Sequence, residues 1–199
     1  MEAKTKTPTV SVFNAGYISS NTLRPVMQNK PSNVAVTLTS LYQYIIGTYA
    51  KKATEELRAE TDEAKQQRMK MLTLRYCTPY GTFSYRDSKH LIQASGMMVV
   101  DIDDVESHER LLELREALKH DKHFETALLF ISPRGNGLKW FILLGDKAGQ
   151  PLKDVFRVVA RYVQFEYGVM IDESGKDIAR ACYLCYDPEC YIKPEYKTR

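Results

Sequence analysis

The run Met97-Met98-Val99-Val100 leads directly into Asp101-Ile102-Asp103. An apolar stretch this short, bounded by polar residues and partly β-branched, predicts a strand buried on both faces. Side chains alternate across a strand, so Asp101 and Asp103 project to one face while Val100 and Ile102 project to the other. Two carboxylates at the mouth of a buried strand repel each other and resist desolvation. A divalent cation removes both penalties, and oxygen-only ligation suits Mg²⁺ or Mn²⁺. A strand that merely runs into a polar turn, with Asp104 capping the next helix, would carry the same letters without a metal.

The pattern around this strand is legible. A strand over residues 96–103 is followed by a helix over 107–119, with Leu111, Leu114 and Leu118 on one face. Strands over 126–131 and 138–144 flank the polar loop 132–137. A helix then opens at Pro151 and stops at Gly168, followed by a short extended piece at 169–171 and a last strand over 180–186. The order β-α-β-β-α-β predicts an α+β fold, a ferredoxin- or RRM-like sheet with both helices on one face and the other face open. Residues 1–90 read as an N-terminal α/β extension and 91–199 as the core, packed as one compact unit. The extension has a strand over 10–17, a helix from about Thr39, a charged helical stretch over 51–70, and a turn at Thr78-Pro79-Tyr80-Gly81-Thr82-Phe83 that leads into a strand. The last four residues predict no helix or cap.

Composition excludes several classes. No apolar run approaches the ~20 residues of a membrane helix, and the polar start lacks the apolar core of a signal peptide. A net charge of +3 is too mild to mark a nucleic-acid binder by itself. Four cysteines in a chain that needs no staples predict free thiols in a reducing, cytoplasmic setting. Cys182 and Cys185 form a CxxC, with Cys190 and Cys77 completing four thiols, the number of a structural zinc site. In a strand, however, i and i+3 point to opposite faces, so zinc is not expected. His90, His108, His120 and His123 fall in no ligand or triad spacing, and no GxSxG is present, so nothing points to nucleophilic catalysis.

Two further segments carry polar chemistry. In Ser132-Pro133-Arg134-Gly135-Asn136-Gly137-Leu138-Lys139, Gly135 and Gly137 allow close backbone approach, and Arg134 and Lys139 add positive charge. If Trp140 packs under the helices, alternation turns Lys139 toward Asp101 and Asp103. The loop is then a cradle for a triphosphate; a β-hairpin turn with incidental charges is the plainer alternative. Downstream, Asp172 directly follows an apolar stretch and is a possible third carboxylate, with Lys176, Asp177 and Arg180 close behind.

Together these segments resemble the archaeo-eukaryotic primase superfamily. The run from Gly96 to Asp103 is similar to its hydrophobic Asp-x-Asp first motif, Ser132 to Lys139 to its second, and Ile171-Asp172 to its third. A closer resemblance is to the VirE N-terminal-type domain of bacterial mobile elements and phages. That domain carries a TPxGTFxxR segment, which stands here as Thr78 to Arg86. Its DxSxKDxAR and SYDP segments stand here as DESGKDIAR, from Asp172 to Arg180, and Cys185-Tyr186-Asp187-Pro188. The resemblance covers roughly residues 70–192. It implies template-directed nucleotidyl transfer, with Asp101, Asp103 and Asp172 holding two divalent ions ~3.5–4 Å apart. It further implies NTP or dNTP binding by Ser132, Arg134, Gly135, Gly137 and Lys139, and phosphate or template contacts from Arg180, Arg86 and Lys176. The template would be single-stranded DNA, with a fused or partner helicase. Asp172 is preferred to Asp177 as the third carboxylate because it adjoins the apolar residues. The superfamily's second motif carries Ser-x-His, whereas this chain has Ser132-Pro133-Arg134. That departure leaves a catalytically degenerate module that binds nucleic acid or nucleotide as the alternative. A DxD glycosyltransferase is more remote, because it needs a longer doubly wound domain.

Overall fold

The computed structural model describes residues 7–197, so residues 1–6 and Thr198-Arg199, read above as polar ends, lie outside the described residues. The first half begins with β1 (Thr9–Phe13), β2 (Tyr17–Ile18), β3 (Pro25–Val26) and β4 (Asn33–Thr37). The strand predicted over 10–17 thus stops at Phe13. Thr37 caps α1 (Leu38–Ile46) by accepting a hydrogen bond from the Ser40 amide, and the helix buries Leu38, Leu41, Tyr42 and Ile45 at helical spacing. The charged stretch forms two helices, α2 (Lys51–Ala59) and α3 (Glu63–Thr73), with Asp62 capping the second. β5 (Tyr76–Thr78), β6 (Gly81–Phe83) and β7 (Leu91–Ala94) follow.

The second half runs β8 (Met97–Ile102), α4 (His108–Lys119), β9 (Thr126–Ile131), β10 (Leu138–Leu143), α5 (Leu152–Tyr167), β11 (Cys182–Tyr183), β12 (Tyr191–Ile192) and α6 (Pro194–Lys197). Ser107, not Asp104, caps α4. Gly168 ends α5 in the left-handed conformation at φ 69°, as a helix-stop glycine does. The C-terminal turn is helical after all: Pro194 opens it with its fixed φ, and Tyr196 is buried beneath it.

Two four-stranded sheets result, in the orders β12-β9-β10-β8 and β11-β5-β1-β4, and every strand pairing among the described residues is antiparallel. The fold is mixed α/β. The predicted last strand is corrected: only Cys182–Tyr183 is extended, and it pairs with Cys77 and Tyr76 in the other sheet instead of lying beside β8. Residues 169–172 already border that edge, where the Asp172 amide donates to the Asp101 carbonyl at 2.9 Å. The first sheet gains β12 at its opposite edge instead.

Both faces of the β8-containing sheet are covered. On one, Val100, Ile102, Trp140 and Ile142 pack against α4 and α5. Trp140 is fully buried, and its Nε1 donates to Thr126 Oγ1 at 2.7 Å, so its polar edge is satisfied. On the other, Met97, Val99, Phe130 and Phe141 share a core with α1 and with Val10, Val12, Cys77 and Cys182. The face expected to be open is therefore closed by the N-terminal elements, because apolar side chains on both faces of β8 need cover. It opens only at the end where the apolar run gives way to Asp101. No helix among the described residues is long and apolar enough to cross a membrane.

Candidate functional site

Asp101 and Lys139 are direct partners in the β8–β10 ladder, on the face opposite Trp140. Both are buried, and the Lys139 ammonium is in contact with Asp101 Oδ1. It also lies 3.5 Å from Asp103 Oδ1. Asp172 is delivered by the backbone bond from its amide to Asp101, so a third carboxylate meets the first two. One oxygen from each of Asp101, Asp103 and Asp172 lies within 4.8 Å of the others. Arg180 bridges the group, with Nη2 2.6 Å from Asp172 Oδ2 and 3.3 Å from Asp101 Oδ2. Both Asp101 oxygens are thereby engaged by cations.

The environments push these groups apart. Burial, reinforced by the Asp172 charge, raises Asp103 above the usual carboxylate range. Burial acts on Asp172 in the same direction, but hydrogen bonds from the Ser174 amide (2.9 Å) and hydroxyl (2.6 Å), with Arg180, bring it below that range. Burial brings Lys139 down to about 8. The carboxylates form an oxygen donor set of the hard kind that Mg²⁺ or Mn²⁺ prefers.

The loop between β9 and β10 faces them. Gly137 is required there: a Cβ would lie 2.3 Å from the Ile102 carbonyl oxygen. Gly135 adopts φ 88°, and its Cβ position abuts Arg58 of α2. Arg58 in turn donates to the carbonyls of Ser132 (3.1 Å) and Pro133 (3.3 Å), fixing the loop from outside. Ser132 Oγ and Arg134 Nε are buried without a hydrogen-bond partner. Loop and carboxylates border one cavity of about 440 Å³, whose third wall is Gln67, Lys70 and Met71 of α3.

Asp101, Asp103, Asp172, Ser132, Arg134, Lys139 and Arg180 therefore come together, as the motifs predict. Other predicted residues are placed differently. Gly135 and Gly137 shape the loop but do not line the cavity. Arg86 reaches the wall, yet its guanidinium is committed to Asn29 Oδ1 (2.9 Å) and the Ala179 carbonyl (3.4 Å) and lies over the Tyr76 ring. Lys176 points away, pairs with Glu173 at 2.9 Å, and borders a separate groove on α5. Asp177 reaches the cavity, but its Oδ1 accepts from the Ala179 amide at 2.9 Å and it stands outside the carboxylate group. All four cysteines are buried. Cys182 faces Cys77 across β11–β5, and Cys185 Sγ donates to the Ile131 carbonyl at 3.1 Å. Asp187, in the SYDP-like segment, accepts from the Ile131 amide at 2.8 Å and pairs with buried Arg115 at 3.8 Å.

Sequence patterns missed Arg58 and Lys70. Both lie in a helical stretch whose charges nearly cancel, so neither stands out from a solvated face. No curated protein and no solved structure matches the chain. A family model does, the BT4734-like, N-terminal domain, over residues 68–192. That span opens inside α3 and holds the carboxylates, the loop and Arg180 in a single stretch. With well over half of the chain matched and the cavity's charged residues inside the match, the protein belongs to the BT4734-like N-terminal domain family.

Proposed function

We propose that this domain is a primase–polymerase-type nucleotidyltransferase that extends a strand on a single-stranded DNA template from NTP or dNTP, in mobile-element or phage replication. The observation that carries this reading is one cavity with three convergent carboxylates on one side and a cationic loop with unsatisfied buried donors on the other. The resemblance to VirE N-terminal-type domains supports it. So does the succession β8-α4-β9-β10-α5 with both helices on one face, which suits a primase palm. A fused or partner helicase is what the resemblance adds.

Asp101, Asp103 and Asp172 would hold Mg²⁺ or Mn²⁺, and their three oxygens within 4.8 Å fit such an ion. When bound, the metal supplies a lowered pKa for an attacking hydroxyl and neutralisation of a departing pyrophosphate. Ser132 Oγ and the Arg134 guanidinium offer donors to phosphate oxygens. Arg180 orients Asp172 against Asp101. Lys139 offsets the mutual repulsion of Asp101 and Asp103.

Two observations favour a second reading, a module that binds nucleotide or nucleic acid without synthesis. Lys139 and Arg180 already engage both Asp101 oxygens, and no histidine stands in the Ser132-Pro133-Arg134 segment. Primer synthesis on single-stranded DNA, with labelled nucleotides and Mg²⁺ or Mn²⁺, separates the two. The nucleotidyltransferase reading expects product from the wild type and none from the Asp101→Ala/Asp103→Ala protein. No product from either protein, with DNA binding intact, would favour the binding module or a domain that needs its helicase partner.

A further inference from the structure

Five cations border the cavity, and they are not equivalent: Arg86 is committed to Asn29 and the Ala179 carbonyl. Lys139 and Arg180 are bound to the carboxylates. Arg134 has a buried Nε without a partner, beside the equally unpartnered Ser132 Oγ. Lys70 is the fifth. Among the described residues it has no carboxylate within ion-pair distance; its ammonium lies 5.3 Å from the centre of the Tyr183 ring. Its neighbours on α3, Lys65 and Arg68, are exposed, whereas Lys70 is half-buried and turned to the cavity. A solvated helix face would leave all three lysine and arginine heads in water. Lys70 instead gives up hydration in a site where repulsion from Arg134 outweighs the attraction of Asp103. Such a crowded pair of cations has an evident complement in an anion between them.

We propose that Lys70 of α3 binds phosphate oxygens of a polyphosphate ligand from the side opposite Ser132 and Arg134. Lys139, the lysine of the motif, then serves the carboxylates. This rests on the nucleotide reading above and deepens it: the triphosphate spans from the N-terminal helix to the β9–β10 loop. Lys139 lacks the freedom for that task, because its ammonium is held between Asp101 and Asp103. Lys70 has that freedom: its ammonium rests on the Tyr183 ring, and among the described residues no carboxylate pairs with it.

The test is calorimetric titration of the full chain with inorganic tripolyphosphate and, separately, with a single-stranded oligonucleotide, without divalent metal. The main variant is Lys70→Met, which keeps the apolar stem against Tyr183 and removes the charge. Lys70→Ala is the second, and Lys65→Ala is the control on the same helix. The wild type and Lys65→Ala should bind tripolyphosphate alike. Both Lys70 variants should lose at least about tenfold in affinity, the scale of one charge-assisted hydrogen bond. Melting curves confirm that each variant is folded. A wild type that binds no tripolyphosphate overturns this proposal, whereas the nucleotide reading falls only with the metal-dependent primer synthesis. A wild type that binds, with Lys70 variants within about twofold of it, overturns the proposal alone. Loss confined to the oligonucleotide also overturns it, by assigning Lys70 to a nucleic-acid backbone.

Discussion

Gly137 shows how little freedom the site leaves a single residue. With only 2.3 Å between its Cβ position and the Ile102 carbonyl oxygen, Gly137→Ala must push the loop off the end of β8. Urea denaturation should report a loss of about 2–3 kcal/mol. Gly149→Ala, where a Cβ meets nothing within 4 Å, should stay within about 0.5 kcal/mol of the wild type. The carboxylates allow a second test. Asp172→Asn should weaken Mn²⁺ binding at least about tenfold by calorimetry, because a neutral amide cannot replace a charged ligand. Asp177→Asn should change it less than about twofold, since its oxygen serves the Ala179 amide; equal losses would move the third ligand to Asp177. Alternation alone put Lys139 on the carboxylate side once Trp140 was assigned to the core, and the structure agrees. Alternation cannot say which cations are already paired. Arg86 and Lys176 have phosphate-binding side chains, but Arg86 is held by Asn29, 57 positions away, where no local motif can show it, and Lys176 by its i,i+3 neighbour Glu173 within the motif itself.

Helices α4 and α5 are joined by Asp121, in the turn after α4. Its Oδ2 accepts from Tyr162 (2.7 Å) and Tyr167 (2.5 Å), and its Oδ1 from the amides of His123 (2.8 Å) and Phe124 (2.6 Å). Burial acts to raise its pKa, but these hydrogen bonds prevail and hold it below the ordinary value. A depressed carboxylate stabilises the fold above its unfolded pKa, near 3.8, and that contribution disappears as pH falls through the lower folded value. Thermal melts from pH 6 down to pH 3 should therefore fall more steeply for the wild type than for Asp121→Asn; parallel curves would remove Asp121 from the acid limb. Elements of this kind are well specified locally. The strand at Thr126–Ile131 and the helix bounded by Pro151 and Gly168 follow from period and punctuation. The last strand was misjudged because an apolar run predicts extension but not which sheet edge is free. That edge is taken by residues 169–172, an apolar piece that reads as extended but is too short to be assigned to a sheet.

At the scale of the whole molecule, the two halves of the chain share a core. Met97, Val99 and Phe141 pack with Val10, Leu41 and Ile45, and β11 completes a sheet built from β1, β4 and β5. A fragment of residues 91–199 would expose one apolar face of its sheet. It should show no cooperative unfolding transition, whereas the full chain should melt in one step; a cooperative fragment would show that the second half needs no cover. The α+β class and the order of core elements are readable from residue patterns. The closed second face is not, because the second half by itself reads as a sheet with one free side.

The pairing of Cys182 with Cys77 has a consequence in time. These residues stand more than a hundred positions apart, yet they are direct ladder partners, and Arg180 lies beside them. At ~5–20 residues per second, the ribosome needs ~5–20 s between making β5 and making its partner. Contacts this distant carry a large loop-closure cost and form late. The carboxylate cluster, which needs Asp172 and Arg180 in place, is thus assembled after most of both sheets. During synthesis, the nascent chain holds Asp101 and Asp103 beside Lys139 alone, a half-built site without its third carboxylate until residues 172–180 are made.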